Sequence, residues 1–390
     1  MRRRSVLIGL GGLVTGAVAG ATGWGVASGI AGAPASVPRA PTTEDPALPR
    51  VEAAGRQQAG IRRPETPQSH GRLLALDVPT TDLGWLAALG ELLLDLVDGS
   101  HPDASTILPD GAGDLSVTVG LGPRLIAAVD PGLPGAEGLP DFKDDDAIPE
   151  HRRGGDVLLA GYCSDPTVLR PVLDLLAAAV PGATKRWDQR GFRGPGEGTV
   201  VRNPLGFLDG VVVPRGDAEF DENVWIADGP LAQGTICVIR RLRLDVNGFH
   251  ARPRSEQEAV FGRRAGDGSP LSGGGPRDQV DLRAKTPEGE YLVPANAHAR
   301  AAHPSFTGSE LMLRRGYTFD DGDVDGVADT GLVFVCFQRS LRTFTATQQR
   351  LDEVDALSQF VTPTGSATFA ILPGFDRDRP LGAALVTAAR

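Results

Sequence analysis

The order of apolar segments constrains the fold of this 390-residue chain more than any other feature. From residue 72 onward, successive segments have apolar residues that recur at strand or helix spacing. In chain order they predict a strand, a helix, two strands and a helix, at 72–78, 82–96, 115–120, 156–162 and 165–180. A second series begins near Gly196 and predicts two strands and two helices, at 235–244, 331–337, 255–261 and 346–360. Two units of similar element order are therefore expected in one chain.

Strand, helix, strand, strand, helix is the order of a ferredoxin-like unit. We therefore expect an α+β protein of two ferredoxin-like domains with antiparallel sheets, at 69–195 and 196–376, and the chain length also suggests about two domains. Residues 34–68 are rich in Pro, Ala and Thr without an apolar period, which predicts a flexible linker. Residues 377–390 remain as a tail.

The first 33 residues have the composition of an export signal. Arg3 and Arg4 begin a twin-arginine pattern, an apolar Gly- and Ala-rich run follows, and small residues near Ala31 provide cleavage points. We expect export by the twin-arginine route to the periplasm, the cell envelope or the exterior. An uncleaved membrane anchor is the alternative, although the many glycines make the run weakly hydrophobic.

Composition and charge exclude several classes of site and partner. The net charge is −10 at pH 7, and removal of residues 1–30 would take away three arginines and no acids, which changes it to −13. So acidic a chain is poorly suited to binding nucleic acid or an anionic membrane surface. The three cysteines stand in separate apolar segments, which predicts buried free thiols at Cys163, Cys237 and Cys336.

Residues 203–210, NPLGFLDG, place Asp209 next to a glycine and three residues after another. Asp and Gly are common in tight turns, so a turn is one interpretation. The other is catalytic, because a partly desolvated carboxylate can take the proton from the inner oxygen of a hydroperoxide and return it to the leaving oxygen. The local sequence leaves both interpretations open.

A histidine and an arginine pair follow Asp209 in the chain. His298 lies in a Pro- and Ala-rich segment, where a histidine is commonly a surface residue. With only six histidines and no CxxCH or HExxH motif, one axial imidazole on a haem is the metal-binding mode that this inventory best permits. Arg314 would stabilise negative charge on a departing oxygen. Arg315 would face the opposite way, toward an acid or a haem propionate, because neighbours in a strand alternate.

These segments, GxxDG at Asp209, HxR at His298 and RRGY at Arg314, resemble in their order the dye-decolorizing peroxidases. GRR followed by DGSPL at 262–271 and the GLVFV strand at 331–335 are similar to further segments of that family. The resemblance covers about residues 70–376. With the export signal, the chain is most similar to the exported, iron-uptake-associated subgroup.

The resemblance implies one haem b per chain, bound in the C-terminal domain. It assigns Asp209 as the distal acid–base, His298 as the proximal iron ligand and Arg314 as the distal arginine. It also implies a haem lining formed by short segments after the first two motifs, namely Gly210, Val211, Val212, His303, Pro304 and Ser305.

The implied function is a haem peroxidase that reduces hydrogen peroxide and oxidises dyes, phenols or other small aromatic donors. An acidic optimum is expected because the distal group is a carboxylate. The alternative is a haem-handling deferrochelatase that releases iron from haem and works with components of an iron-uptake system. A ferredoxin-like binding module without a cofactor is a third interpretation, and homo-oligomerisation is left open.

Some positions depart from the family pattern. Val211 stands where Thr is usual and His303 where Asn is usual, and neither change removes a catalytic group. His303 is also a rival ligand, five residues from His298. Ligating histidines are commonly oriented by an acid at the second ring nitrogen, but spacing does not identify that acid here. Glu310 is the candidate.

Overall fold

The computed structural model describes residues 50–324 and 326–389, so the predicted signal at 1–33 lies outside the described residues. The strands are β1 His70–Asp77, β2 Ser116–Leu121, β3 Val157–Cys163, β4 Thr184–Phe192, β5 Val201–Arg202, β6 Leu208–Asp209, β7 Thr235–Leu244, β8 Leu313–Arg314, β9 Tyr317–Val324, β10 Val327–Gln338 and β11 Val361–Ile371. The α-helices are α1 Leu86–Asp98, α2 Ala104–Ile107, α3 Pro123–Val129, α4 Leu169–Ala178, α5 Gly216–Asn223, α6 Val246–His250, α7 Arg254–Phe261, α8 His298–Ala301, α9 Pro304–Thr307, α10 Leu341–Val354 and α11 Ala383–Ala388.

Each half of the chain contributes one four-stranded antiparallel sheet. In the N-terminal half the spatial order is β4-β1-β3-β2, and in the C-terminal half it is β11-β7-β10-β9. Numbered within its own half, each sheet has the order 4-1-3-2, which is that of a ferredoxin-like unit. The expectation of two ferredoxin-like units in an α+β protein is confirmed.

The two sheets join edge to edge and close into one barrel. Phe192 of β4 pairs with Thr318 of β9, and Gly120 of β2 pairs with Ile371 of β11. Closure leaves none of these eight strands as a free edge. The interior is filled by inward-facing apolar side chains from seven of the eight strands, all but β2, and they include Leu73, Tyr162 and Phe369.

Helices cover the outer face of the N-terminal half. Leucines at helical spacing in α1 and α4, such as Leu89, Leu93 and Leu173, are buried in one apolar cluster with outward-facing residues of β1 to β3. Helix α1 ends at Gly99, whose φ of 86° is the left-handed conformation that terminates many helices. A second apolar cluster gathers Phe207, Phe249, Phe261 and Phe360 in the C-terminal half.

The prediction of a flexible linker at 34–68 is wrong for its described part, residues 50–68. Gln58 and Ile61 are buried. The side chain of Gln58 exchanges two hydrogen bonds with the backbone of Val119, at 2.8 Å each, and donates to Leu372 O at 2.9 Å. A polar side chain thus anchors the segment to the strands, which is why no apolar period marks it.

The C-terminal residues are also part of the fold. Leu381 and Leu385 are buried in the same apolar cluster as α1, and Arg377 donates to Asp95 and Asp98 of that helix at 2.7 Å each. The cysteines are free and buried, as predicted. Within the described ranges, no helix combines the length and the hydropathy needed to cross a bilayer.

Candidate active site

Asp209 lies on a short hairpin whose turn is determined by its own sequence. Strands β5 and β6 pair through Val201 with Asp209 and Arg202 with Leu208. Between them the side chain of Asn203 accepts hydrogen bonds from the backbone of Leu205 and Phe207, at 3.1 and 3.0 Å. The hairpin therefore presents Asp209 at its end.

Gly210 makes this position of the carboxylate possible. Its φ is 78°, and a Cβ there would lie 2.3 Å from Thr199 O. An L-amino acid with a side chain is excluded both by the backbone conformation and by this close approach. The glycine is thus required by the adjacent backbone, whatever lies over the hairpin. Gly210 N also donates to Asp209 Oδ1 at 2.6 Å.

Arg314 contacts the same carboxylate oxygen from the barrel wall. It pairs with Cys336 of β10, and its Nε and Nη2 lie 3.3 and 3.2 Å from Asp209 Oδ1. Its Nη1 donates to Val212 O at 2.9 Å. All hydrogen bonds of this carboxylate within the described chain are made by Oδ1, so Oδ2 is available to an external proton donor or acceptor.

His298 begins α8 and is oriented by an acid from the far end of α10. Its Nδ1 lies 2.7 Å from Oδ2 of Asp355, whose side chain is only 4% exposed. Oδ1 of the same carboxylate accepts from Leu357 N at 2.9 Å. Phe261 packs edge-on against the imidazole, with ring centroids 6.2 Å apart. Nε2 has no hydrogen-bond partner among the described residues, so it is available as a ligand atom.

Burial is the largest single influence on the pKa of both Asp209 and His298. It favours neutral Asp209, but the charge of Arg314 and the hydrogen bond from Gly210 N outweigh it and lower the pKa of Asp209. It also favours neutral His298, but the charge and hydrogen bond of Asp355 outweigh it and raise the pKa of His298. The Asp209 charge also raises the pKa of His298.

The family model described as Dyp-type peroxidase, C-terminal, matches residues 201–376. The dye-decolorizing peroxidase of Thermobifida fusca is 34% identical over 386 residues, with coverage of 90% of this chain and 89% of the relative. The chain belongs to the DyP-type peroxidase family. A deferrochelatase of Yersinia pestis is 31% identical over 410 residues, covering 95% and 92%. The structure of DtpA from Streptomyces lividans, an oxyferrous/water mixed complex, is 33% identical with a TM-score of 0.79, covering 87% of this chain and 98% of that one.

As a DyP-type peroxidase the chain is a haem-dependent enzyme that uses hydrogen peroxide and organic reductants. The residues present fit a haem. The side chains of Asp209, Arg314 and His298 keep 29, 24 and 36% of their surface exposed, so each can contact a bound group. An imidazole with a free Nε2 and a carboxylate–guanidinium pair are the groups that haem peroxidase chemistry requires.

The structure shows protein contacts for some of the residues that the resemblance implies as haem lining. Val211 is buried, whereas His303 caps α9 by accepting from Ser305 N at 3.1 Å. The other nitrogen of His303 lies 3.3 Å from Gln279 Oε1, so both ring nitrogens have protein partners. Its rival candidacy as iron ligand finds no support. In the described part of the chain, no hydrogen bond joins the segment from His303 through Pro304 to Ser305 with Asp209, Arg314 or His298.

Two of the acid contacts expected around the site are not found in the structure. Glu310 does not orient His298, because it accepts from Thr343 Oγ1 at 2.8 Å, and Asp355 has that role. Sequence reasoning missed Asp355 because it lies 57 positions after His298 with no motif around it. Arg315 has no acid as a partner among the described residues. It donates to Ile61 O and, at 2.8 Å, to Pro64 O of the N-terminal segment.

Proposed function

We propose that Asp209, Arg314 and His298 are the working residues of this peroxidase, with His298 Nε2 as the iron ligand. Two contacts carry the assignment. Arg314 binds Asp209 Oδ1, which leaves Oδ2 free to exchange a proton, and Asp355 binds His298 Nδ1, which leaves Nε2 free to bind iron. Bound haem supplies the iron centre that accepts the peroxide and later takes electrons from the donor. The protein's own residues bind, orient and move the proton.

Asp209 moves the proton and Arg314 stabilises charge. Ionised Asp209 takes the proton from the inner oxygen of hydrogen peroxide through Oδ2 and returns it to the outer oxygen, which leaves as water. Arg314 holds Oδ1 still, so Oδ2 keeps one direction throughout the transfer. Because a guanidinium does not deprotonate, Arg314 also stabilises the negative charge that develops on the leaving oxygen.

Peroxide turnover in haem-loaded variants tests these roles. Asp209→Asn and Arg314→Leu are expected to reduce turnover by about 100-fold or more while the haem absorption band remains. Asp188→Asn is the matched control, because Asp188 forms a comparable partly buried ion pair with Arg72 away from the site. Turnover close to wild type in both site variants would contradict the assignment. Loss of the haem band in His298→Ala, with partial rescue by added imidazole, tests the ligand.

A second candidate function, release of iron from haem, is favoured by the deferrochelatases among the relatives. In this function the same pocket would bind haem, and components of an iron-uptake system would be its partners. Incubating the protein with haem under reducing conditions separates the two. Formation of metal-free porphyrin with little peroxide turnover supports iron release, whereas an intact haem spectrum with rapid turnover of a phenol or a dye supports the peroxidase.

Export by the twin-arginine route is part of the proposal. Its support is the arginine pair at Arg3 and Arg4 ahead of an apolar run. This route carries folded proteins, which suits an enzyme that acquires haem before export. Replacement of both arginines by lysine is expected to retain the protein in the cytoplasmic fraction. Unchanged export of that variant would contradict the proposed route.

A further inference from the structure

Arg315 is a fully buried cation at one end of the barrel, with only 1% of its surface exposed. Adjacent residues in an extended chain point to opposite sides. Arg314 therefore faces Asp209. Arg315 N donates to Val335 O and Tyr317 pairs with Val333 of the same strand, so the side chains of Arg315 and Tyr317 lie on the same side of the chain. The ring of Tyr317 stacks on that of Tyr162, with centroids 5.6 Å apart. The two neighbouring arginines belong to two separate environments.

Protein acceptors satisfy only one nitrogen of this guanidinium. Nη1 donates to the carbonyls of Ile61 and Pro64. Nε and Nη2 are buried and have no hydrogen-bond partner among residues 50–324 and 326–389. The ionisable groups that affect Arg315 most are Tyr317, Tyr162 and Arg193, of which the last is another cation. Within those ranges, the charge is therefore held by two carbonyl dipoles and no carboxylate.

Tyr317 adds a further unpartnered group beside Arg315. Its Oη is buried and forms no hydrogen bond within the described chain. The Cζ atom of Arg193 lies 5.6 Å from the centroid of the same ring. Packing against the rings is close, because a Cβ at Gly71 would lie 3.1 Å from Tyr162 and 3.3 Å from Tyr317. Unmet donors, two cations and aromatic walls thus meet in a confined region.

These groups require a compensating partner. An isolated buried charge costs several kcal/mol, and each buried donor without an acceptor costs about 1–3 kcal/mol. Burial lowers the pKa of Arg315 to about 10, which still leaves it charged at neutral pH. A water molecule would accept hydrogen bonds but would leave the charge uncompensated. A small anion satisfies both requirements.

We infer that Arg315 and Tyr317 bind a small monovalent anion of the halide class, such as chloride, inside the barrel. The anion accepts hydrogen bonds from Arg315 Nη2 or Nε and from Tyr317 Oη. It thereby completes the coordination of the arginine whose Nη1 holds residues 61–64 against the barrel. Arg315 and Tyr317 lie on the side of the chain opposite to Arg314, which contacts Asp209.

Bromide replacement in holoprotein crystals tests the site directly. The expected result is an anomalous bromine peak within hydrogen-bond reach of Arg315 and Tyr317 Oη. A peak without anomalous signal, which identifies an ordered water, would overturn the inference, and so would an absence of density.

Thermal unfolding of the holoprotein gives a second, independent measurement. A ligand that binds only the native state raises the unfolding temperature in a saturable way, so chloride should raise it more than isethionate at equal ionic strength. Tyr317→Phe keeps the ring and removes Oη, and is expected to raise the chloride midpoint about tenfold, since a hydrogen bond to a charged group contributes about 1.5 kcal/mol or more. Arg315→Met should abolish the chloride response.

Tyr291→Phe is the control, because Tyr291 is exposed and far from any proposed anion contact. It should keep the wild-type response to chloride. An equal chloride response in wild type, Tyr317→Phe and Tyr291→Phe would overturn the inference even if Arg315→Met fails to fold.

Discussion

Replacement of Asp355 by asparagine isolates the contribution of the acid behind His298. The two oxygens of Asp355 accept from different donors, Oδ2 from the imidazole Nδ1 at 2.7 Å and Oδ1 from Leu357 N at 2.9 Å. Asparagine has one oxygen and one NH₂ group. Its oxygen can accept from only one of the two donors, His298 Nδ1 or Leu357 N. The remaining donor would then face the NH₂ group, which is itself a donor.

The size of the effect follows from the burial of Asp355. A hydrogen bond to a charged group contributes about 1.5–3 kcal/mol, and solvent screens this one little because the carboxylate is only 4% exposed. Loss of such a partner typically weakens metal binding by about 10- to 100-fold, which corresponds to about 1.4–2.8 kcal/mol. We therefore expect Asp355→Asn to weaken ferric haem binding by about 10- to 100-fold and to raise the iron reduction potential, since a less basic imidazole stabilises ferric iron less.

Haem titration of the apoprotein, followed by its absorption band, measures the affinity, and a redox titration measures the potential. Asp352→Asn is the control, because Asp352 also belongs to α10 but accepts from Lys143 N and Gln348 Nε2. A ferric haem affinity within twofold of wild type in Asp355→Asn, with an unchanged potential, would refute the orienting role. If haem affinity falls in both Asp355→Asn and Asp352→Asn, the cause is a disturbance of α10 and not the loss of the acid behind His298.

Three further predictions concern the distal residue and the fold. Burial raises the pKa of Asp209, but the positive charge of Arg314 lowers it by more, so the pKa is lowered overall. The ionised carboxylate, which acts as the base, therefore persists above this lowered pKa and is lost as the pH falls through it. The acid limb of the pH–turnover profile should lie below the ordinary pKa range of an aspartate in wild type and move upward in Arg314→Leu, and an unmoved limb would contradict this coupling. Gly210→Ala should destabilise the hairpin and lower peroxide turnover, because its Cβ would lie 2.3 Å from Thr199 O, and wild-type turnover and melting would show that the backbone relaxes freely. Ile61→Ala should lower the free energy of unfolding by about 2–5 kcal/mol in denaturant titration, since Ile61 is buried in the barrel interior, whereas a loss below 0.5 kcal/mol would indicate an unpacked segment.

Elements with a continuous apolar run could be predicted from the sequence. The strand expected at 235–244 coincides with β7, because both of its faces are covered and its residues are almost all buried. The strand expected at 331–337 lies within β10 for the same reason. Short motifs in a distinctive order also point to Asp209, Arg314 and His298, whose roles stay predictions.

Other elements could not be predicted because their polar residues have partners far away in the chain. Strand β4 has the sequence TKRWDQRGF, whose inward-facing Gln189 belongs to a charged network with Arg241 and Asp321 at one end of the barrel. Strand β11 contains Pro363 at a register shift. Neither strand has the alternating apolar and polar residues of a strand that is buried on one face, so their sequences do not predict them as strands.

Arg314, the last residue of β8, and its neighbour Arg315 show what residue type alone does not predict. Alternation along the strand correctly separates Arg314 from Arg315, and an acid or a haem propionate was the expected partner of Arg315. An acid lies beside Arg314 instead, namely Asp209. Arg315 instead holds the carbonyls of Ile61 and Pro64, and a backbone carbonyl has no signature in the sequence because every residue carries one. No carboxylate among residues 50–324 and 326–389 pairs with Arg315, so its buried charge lacks a compensating acid there, and for that reason an anion is expected beside it.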